Sequence, residues 1–170
     1  NRPRENLALR LTTVFRKLLC LQGVRVAAVD LRSDALVIFV DVVGRRRLTC
    51  GRCGRHSRRG AYDSKRRLWR HLDLGAWEVY LRARQRRFHC RHCEAVVTEA
   101  APWAETGAAF TRDFEDLVSF LAQQTNQTVV SRVMHIAWPT VGNIVQRTVG
   151  RRGLPLSRRK LYRIGIDEIS

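Results

Sequence analysis

The sequence predicts an α+β chain built from several modules, and three observations lead to this fold class. Apolar residues recur at helical spacing over residues 5–20 and again over residues 110–121. Between these stretches, apolar and polar side chains alternate from Trp77 to Phe88, as they do in a half-buried strand. The third observation is a pair of Cys-x2-Cys motifs separated by 36 residues. A length of 170 residues suffices for one ordinary domain or for two or three small ones.

The first predicted module spans residues 1–44. Its apolar positions at helical spacing predict an amphipathic helix over residues 5–20, which Gly23 ends. Two strands are predicted next, over residues 24–31 and 35–43, joined by a short polar turn. The module is therefore expected to be a helix followed by a β-hairpin.

Four of the five cysteines form the two motifs, Cys50-x2-Cys53 and Cys90-x2-Cys93. Two intervening residues let a tight turn aim both sulfurs at one ion, and Gly51 supplies permissive backbone for such a turn. Four thiolates complete a tetrahedral shell with no open position, so we expect one structural Zn²⁺ in a zinc ribbon over residues 45–100. The 36-residue gap exceeds the usual 15–20 residues, which predicts an extra hairpin between the motifs.

Three alternatives compete with a four-cysteine zinc site. Disulfides are disfavoured because the sequence carries no export signal. A thioredoxin-type redox pair needs a βαβ context, which the pattern lacks. A histidine could replace one thiolate, and His56, His89 and His92 lie close to the motifs in sequence. The fifth cysteine, Cys20, falls in the helical pattern and is predicted to be a small buried apolar residue.

The formal net charge of +17 is concentrated in the zinc ribbon. Residues 44–93 carry 16 basic and only 3 acidic residues, which favours a nucleic-acid partner over a merely solvated face. Alternate arginines on the strand after Trp77 would stand about 6.8 Å apart on one face, close to the spacing of phosphates along one strand. The residues predicted to contact the phosphate backbone are Arg45, Arg46, Arg47, Arg58, Arg59, Lys65, Arg66, Arg67, Arg82, Arg84 and Arg86. No apolar run reaches the ~18–20 residues of a membrane span.

Residues 106–150 predict three helices with a short turn before the last, the arrangement of a helix-turn-helix. The third helix would start at Pro139 and run to about Val149. Its outward side chains suit the recognition of adenine and guanine, and they are Thr140, Asn143, Gln146 and Arg147. The alternative is a packing or dimerisation bundle, and the net charge of −3 over residues 94–150 argues against DNA contact by this bundle alone. Trp138 is predicted to pack in the core or at the helix entry rather than to form a base-stacking platform.

The last twenty residues divide into two parts. Residues 151–160 are predicted to be a basic linker, and residues 161–170 have the pattern of the start of a strand.

This order of parts resembles bacterial insertion-sequence transposases with a zinc ribbon, a helix-turn-helix and a DDE catalytic domain of RNase-H-like fold. The matching stretches are Cys50–Gly54, Trp69–Gly75, Phe88–Cys93, Pro102–Trp103, Phe110–Asp116, Thr140–Gly142 and Ile164–Glu168. The sequence departs from the family at Ala137 and Pro139, where a polar cap and a polar or basic residue are expected.

The resemblance implies that residues 161–170 are the first strand of a truncated catalytic domain and that Asp167 is the first catalytic carboxylate. In such enzymes three carboxylates hold two Mg²⁺ ions that activate water or a 3′-hydroxyl. The other two carboxylates would lie beyond residue 170, so Mg²⁺ is expected only in a complete catalytic domain. The 170-residue chain alone is predicted to bind DNA without cutting it.

The resemblance also implies a function. The chain would bind the terminal inverted repeats of its element as double-stranded DNA, in the bacterial cytoplasm at the nucleoid. The resemblance is also compatible with a homodimer. The first alternative is a stand-alone zinc-ribbon and helix-turn-helix regulator without catalysis, which a longer reading frame with later acidic residues would exclude. The second is a zinc module that binds RNA nonspecifically, which strong sequence preference would exclude.

Overall fold

The computed structural model describes residues 3–21, 23–43, 47–57 and 60–153, with the side chains of residues 3–10 left out. The chain divides into two compact units, Asn1–Leu117 and Val118–Ser170. The elements in chain order are α1 (Pro3–Leu18), β1 (Val24–Leu31), β2 (Ala35–Val42), β3 (Leu48–Thr49), β4 (His56–Ser57), β5 (Asp63–Leu74), β6 (Trp77–Cys90), β7 (Ala95–Thr98), α2 (Arg112–Gln124), α3 (Gln127–Val133) and α4 (Trp138–Arg152). The α+β fold class is confirmed. Among the described residues, no helix is both long and apolar enough to cross a bilayer.

The first unit is organised around a five-stranded sheet in the order β1-β2-β6-β5, with β7 also paired to β6. The pairing of β2 with β6 is parallel, and the other pairings are antiparallel. Alternate residues of the strands, such as Ile38 and Leu81, are fully buried on one face. Helix α1 packs on β1, and Phe15 and Leu19 join the same core. Trp103, from the segment before α2, closes that core.

The long β5–β6 hairpin is the insertion that the cysteine spacing predicts, and it is confirmed. Its two strands have 12 and 14 residues and meet at a turn in which Gly75 has a φ of +62°. Near the turn, Trp69 and Val79 join the main core, and Trp69 meets Trp103 edge to face with 5.3 Å between ring centroids. At the other end, the hairpin leads into the second cysteine motif. The hairpin thus connects the apolar core with the cysteine motifs.

The second unit contains the end of α2 together with α3 and α4. Asn126 caps α3, because its side chain accepts a hydrogen bond from the Val129 amide at 3.0 Å. In the turn that follows, His135 has a φ of +51°, and the Ser131 hydroxyl donates to the Ile136 carbonyl at 2.6 Å. Val130, Val141 and Ile144 are fully buried. The predicted three helices are therefore present, with α4 beginning one residue earlier and ending three residues later than expected.

Two predictions about single residues are wrong. Cys20 is exposed rather than buried, because α1 ends at Leu18 and Cys20 has a left-handed backbone with a φ of +47°. Trp138 lies at the entry of α4 as expected, but its side chain does not pack there, since the residue is 55% exposed. The predicted module boundaries stay predictions. Most of the basic linker, all of residues 161–170 and Asp167 lie outside the described residues.

Candidate metal centre and nucleic-acid interface

The four motif cysteines meet at one point in the first unit. Their Sγ atoms all lie within 4.8 Å of one another, and two pairs, Cys50–Cys93 and Cys53–Cys90, are 3.8 Å apart. A tetrahedral zinc ion with Zn–S bonds of ~2.3 Å requires sulfurs roughly 3.8 Å apart. The cluster therefore has the size of a four-thiolate zinc site. The three nearby histidines do not belong to it: His89 and His92 are exposed, and His56 contacts Thr49 through Nδ1 at 3.1 Å.

Backbone geometry in the first motif explains the residues next to its cysteines. The amides of Arg52 and Cys53 donate to the Cys50 sulfur at 3.3 and 3.4 Å. Gly54 turns the chain with a φ of +72°. Gly51 has no room for a side chain, because a Cβ would lie 2.5 Å from the Thr106 hydroxyl oxygen and 2.8 Å from the Thr98 carbonyl oxygen.

Backbone amides also lie against the first cysteine of the second motif. Backbone amides of Cys93 and His92 lower the pKa of the Cys90 thiol to about 7. Burial, followed by the three neighbouring sulfurs, raises the pKa of Cys93 to about 12. The Cys93 thiol therefore keeps its proton unless a cation joins the cluster, and a divalent ion would displace that proton. The donor set fits zinc, and all four ligands come from the chain, so the site is structural.

Only a small apolar core supports this cluster. Leu48, Phe88 and Val97 are its buried residues besides Cys50 and Cys90. Strands β3 and β4 have two residues each, and β7 has four. Since so few apolar residues cannot offset the entropy of ordering these loops, the ribbon depends on its metal.

Several arginines of the hairpin already have partners within the chain. Arg86 donates from Nε to Glu99 at 2.8 Å, and Arg87 donates from Nε to Asp63 at 2.8 Å. Arg67 donates to the carbonyls of Gly107 and Ala108, both at 2.9 Å, and lies over the Trp69 ring. Arg82 lies over the Phe39 ring with 5.3 Å between its guanidinium carbon and the ring centroid. The predicted row of three phosphate-binding arginines thus includes two residues with internal contacts, Arg82 and Arg86.

Other predicted phosphate-contact residues remain open to solvent. Arg66 and Arg84 face each other across the hairpin on its solvent side, and both are exposed. Like charges directly opposite each other are destabilising, so a bound anion would reduce the repulsion between these two guanidinium groups. Lys65 and Arg47 are also exposed. Arg45, Arg46, Arg58 and Arg59 lie outside the described residues.

Sequence reasoning missed three further exposed arginines, which lie within or beside the cysteine motifs: Arg52, Arg55 and Arg91. Their positions between two cysteines or shortly after one could have indicated exposure, since the tight turns of such motifs leave these side chains on the surface.

Arg70 is a buried charge that joins the hairpin to the start of α2. It is 6% exposed, and its guanidinium forms ion pairs with Asp73 at 2.7 Å and Glu78 at 3.0 Å. Its backbone amide donates to the Ala109 carbonyl, and its carbonyl accepts from Thr111. Beside it, His71 contacts the Thr111 hydroxyl at 2.8 Å through Nδ1, and burial lowers the pKa of His71.

Helix α4 carries the other predicted DNA-contact residues. Asn143 and Gln146 are exposed, whereas Thr140 and Arg147 are half-buried. The charge of this unit differs from the net charge of −3 over residues 94–150. Residues 118–153 contain four arginines and no acidic residue, so every acidic residue of the window 94–150 precedes residue 118. The described part of the second unit is therefore basic, whereas the first half of α2 and the segment before it are acidic.

Comparison with known proteins matches both parts. Residues 46–93 match the model of the zinc-finger of transposases IS204/IS1001/IS1096/IS1165, and residues 99–149 match the helix-turn-helix domain of transposase family ISL3. The chain is 44% identical over 123 residues to the transposase for insertion sequence element IS1557 from two Mycobacterium tuberculosis strains, CDC 1551 / Oshkosh and H37Rv. The matched stretch covers 71% of this chain but only 27% of those relatives. No solved structure matches the chain.

Proposed function

This chain carries the zinc ribbon and the helix-turn-helix of ISL3-family insertion-sequence transposases, and on that premise we propose that it recognises the terminal inverted repeats of its element. The observation that carries the proposal is the presence of both parts in one chain. Each part also presents exposed basic residues: Arg66 and Arg84 on the hairpin, and Arg132 in the second unit.

The two parts would contribute different contacts to duplex DNA. Exposed hairpin residues such as Lys65, Arg66 and Arg84 would bind phosphates, which supplies affinity but little sequence information. Helix α4 would enter the major groove, where Asn143 and Gln146 carry amides suited to adenine. Thr140 and Arg147 would lie at the border of that contact. Sequence recognition would thus depend on α4, and salt-sensitive affinity on the hairpin.

Catalysis would require residues outside the stretch that matches the relatives. A complete transposase would use Asp167 with two later carboxylates to hold two Mg²⁺ ions, which supply the activation of water or a 3′-hydroxyl. Binding to element ends would take place at the bacterial nucleoid, in the cytoplasm. Two ends per element would favour a homodimer, because each copy could hold one end.

Selection of binding sites from a random duplex pool tests this function. The full chain, loaded with zinc, is incubated with the pool at about 0.15 M salt, since lower salt would let phosphate contacts dominate. We expect enrichment of one motif that occurs in the ends of the surrounding element, and loss of that enrichment with a zinc chelator.

Two outcomes would contradict the proposal. Retention of the pool without an enriched motif would leave only a basic ribbon that holds any nucleic acid, and an RNA competitor would then displace the DNA. Enrichment of a motif that is absent from the element ends and present upstream of other genes would favour a regulator.

A further inference from the structure

The first turn of α4 presents an apolar surface where a recognition helix usually presents polar groups. Trp138 is the first residue of the helix and is 55% exposed. The preceding residue, Ala137, makes no side-chain capping hydrogen bond. Pro139 has no amide hydrogen, and the Thr140 amide already donates to the Ala137 carbonyl at 2.9 Å. This turn therefore has few free donors for a phosphate or a base, and its main surface is the indole ring.

Gly142 lies one turn further on the same side of the helix, four residues after Trp138. A Cβ built at this position meets no atom within 4 Å. A glycine in the interior of a helix makes the helix less stable than an alanine would. Nothing in the described chain requires the small size of Gly142. An outside surface that approaches α4 closely at this point would require it.

The buried residues of α4 fix which side faces outward. Val141, Ile144 and Thr148 are buried, so the opposite side carries Asn143 and Gln146, both exposed. At 100° per residue, Trp138 and Gly142 border that outward side. Side chains of a helix lean towards its N-terminus, so the indole extends from the end of α4 that meets base edges in helix-turn-helix proteins.

We propose that Trp138 contacts the 5-methyl group of a thymine in the major groove, with Gly142 leaving space for the base edge. Thymine is the base that offers an apolar group in this groove. The base pair next to this thymine would present an adenine that Asn143 binds. The inference rests on the proposed function, and it adds the chemical means by which α4 distinguishes thymine from cytosine.

Removal of single methyl groups tests the contact directly. The zinc-loaded full chain is titrated with the selected duplex in which each thymine in turn is replaced by deoxyuridine, which lacks only the methyl group. Burial of one methyl group corresponds to about fourfold in affinity. We expect that loss at one or two thymines for the unmodified chain, no loss at those positions for Trp138→Ala, and a retained loss for Trp138→Phe.

Gly142 has a matched control on the same helix. Gly150 also has nothing within 4 Å of a built Cβ, and it lies two turns further along α4. We expect Gly142→Ala to weaken binding to the selected site at least tenfold and Gly150→Ala to leave it within twofold. Both variants should raise the melting temperature, so a binding defect of Gly142→Ala would not come from unfolding.

The outcomes separate this inference from the function on which it rests. If no motif is selected, the result contradicts both the proposed function and the Trp138 contact. If a motif is selected and deoxyuridine is neutral at every thymine, or if Trp138→Ala keeps the methyl dependence, only this inference falls. A change from dimer to monomer in Trp138→Ala with unchanged methyl dependence would show instead that Trp138 joins two copies of the chain.

Discussion

The ribbon with its hairpin and the helices of the second unit are stabilised by different kinds of interaction. The ribbon combines a four-cysteine cluster with ion pairs such as Arg86–Glu99 and Arg87–Asp63. Helices α3 and α4 instead bury apolar residues such as Val130 and Ile144, and one side-chain cap starts α3. The ribbon therefore depends on metal, protonation and salt, whereas α3 and α4 depend on packing and on helix propensity.

The same contrast applies to charge. The ribbon region holds most of the basic residues, yet part of that charge is compensated by acids and carbonyls of its own unit. The second unit has only four arginines up to residue 153 but no acid. Affinity for a polyanion thus depends on which cations face solvent, rather than on the number of cations in a stretch of sequence.

Loss of one zinc ligand should produce the largest difference between the two regions. Cys90→Ser removes one of four thiolates, and the binding energy of structural zinc, about 10 kcal/mol or more, is folding energy for its module. We expect the ribbon to unfold and zinc content to fall below one ion per chain, while the helical circular dichroism of α3 and α4 remains.

Cys20→Ser is the matched control, because Cys20 is exposed and outside the cluster. It should keep one zinc ion and an unchanged melting temperature. A Cys90→Ser variant with the same zinc content and stability as Cys20→Ser would contradict the four-cysteine site.

Removal of Arg70 should produce the second-largest effect. Arg70→Ala leaves the Asp73 and Glu78 carboxylates without their buried partner. Because these carboxylates are 28% and 38% exposed, water replaces part of the lost interaction, and we expect a cost of about 1.5–3 kcal/mol. Urea denaturation of the zinc-loaded chain measures the change. Arg25→Ala removes an exposed ion pair with Asp41, in which both side chains are more than half exposed, and should cost less than about 1 kcal/mol. Equal costs for the two variants would show that Arg70 is solvated in solution.

The elements that could be predicted from the sequence are those whose signal is local. The two cysteine motifs and the helices each follow from spacing within a few residues, and the inserted hairpin follows from the 36-residue gap between the motifs. Arg86 and Arg87 illustrate what could not be predicted, because their partners Glu99 and Asp63 lie 13 and 24 residues away and depend on strand register. Cys20 was misplaced because a helix end shifted by two residues turns a buried position into an exposed one.

Charge on the helix-turn-helix shows a second limit. A window of sequence combined the acids at the start of α2, Asp113, Glu115 and Asp116, with residues of the second unit. The division of the chain after Leu117 is a property of three-dimensional packing, and it falls within α2, whose helical pattern continues across it. Trp138 shows a further limit, because a tryptophan beside a proline at a helix start has the same local sequence whether its ring is buried or exposed.

A single methyl group should have opposite effects in the two regions. Gly51→Ala would place a Cβ against the Thr98 carbonyl and the Thr106 hydroxyl, and such overpacking costs about 1–3 kcal/mol. Gly142→Ala adds the same atom to open space on a helix and should stabilise the chain by up to about 1 kcal/mol. Thermal unfolding with zinc present measures both changes. A stabilising Gly51→Ala would mean that the Thr106 segment moves away from the first cysteine motif.

Salt dependence of DNA binding should reveal the smallest difference, between two arginines of one strand. Arg84 is exposed and faces Arg66, whereas Arg87 already donates to Asp63. If Arg84 neutralises one phosphate, Arg84→Ala should reduce the slope of log affinity against log salt by about 0.9, which is roughly three- to fourfold between 50 and 200 mM salt. Arg87→Ala should leave the slope unchanged, because its charge is compensated by Asp63. Equal slopes for the two variants would place the phosphate contacts on the arginines of the cysteine motifs, Arg52 and Arg91, rather than on the hairpin.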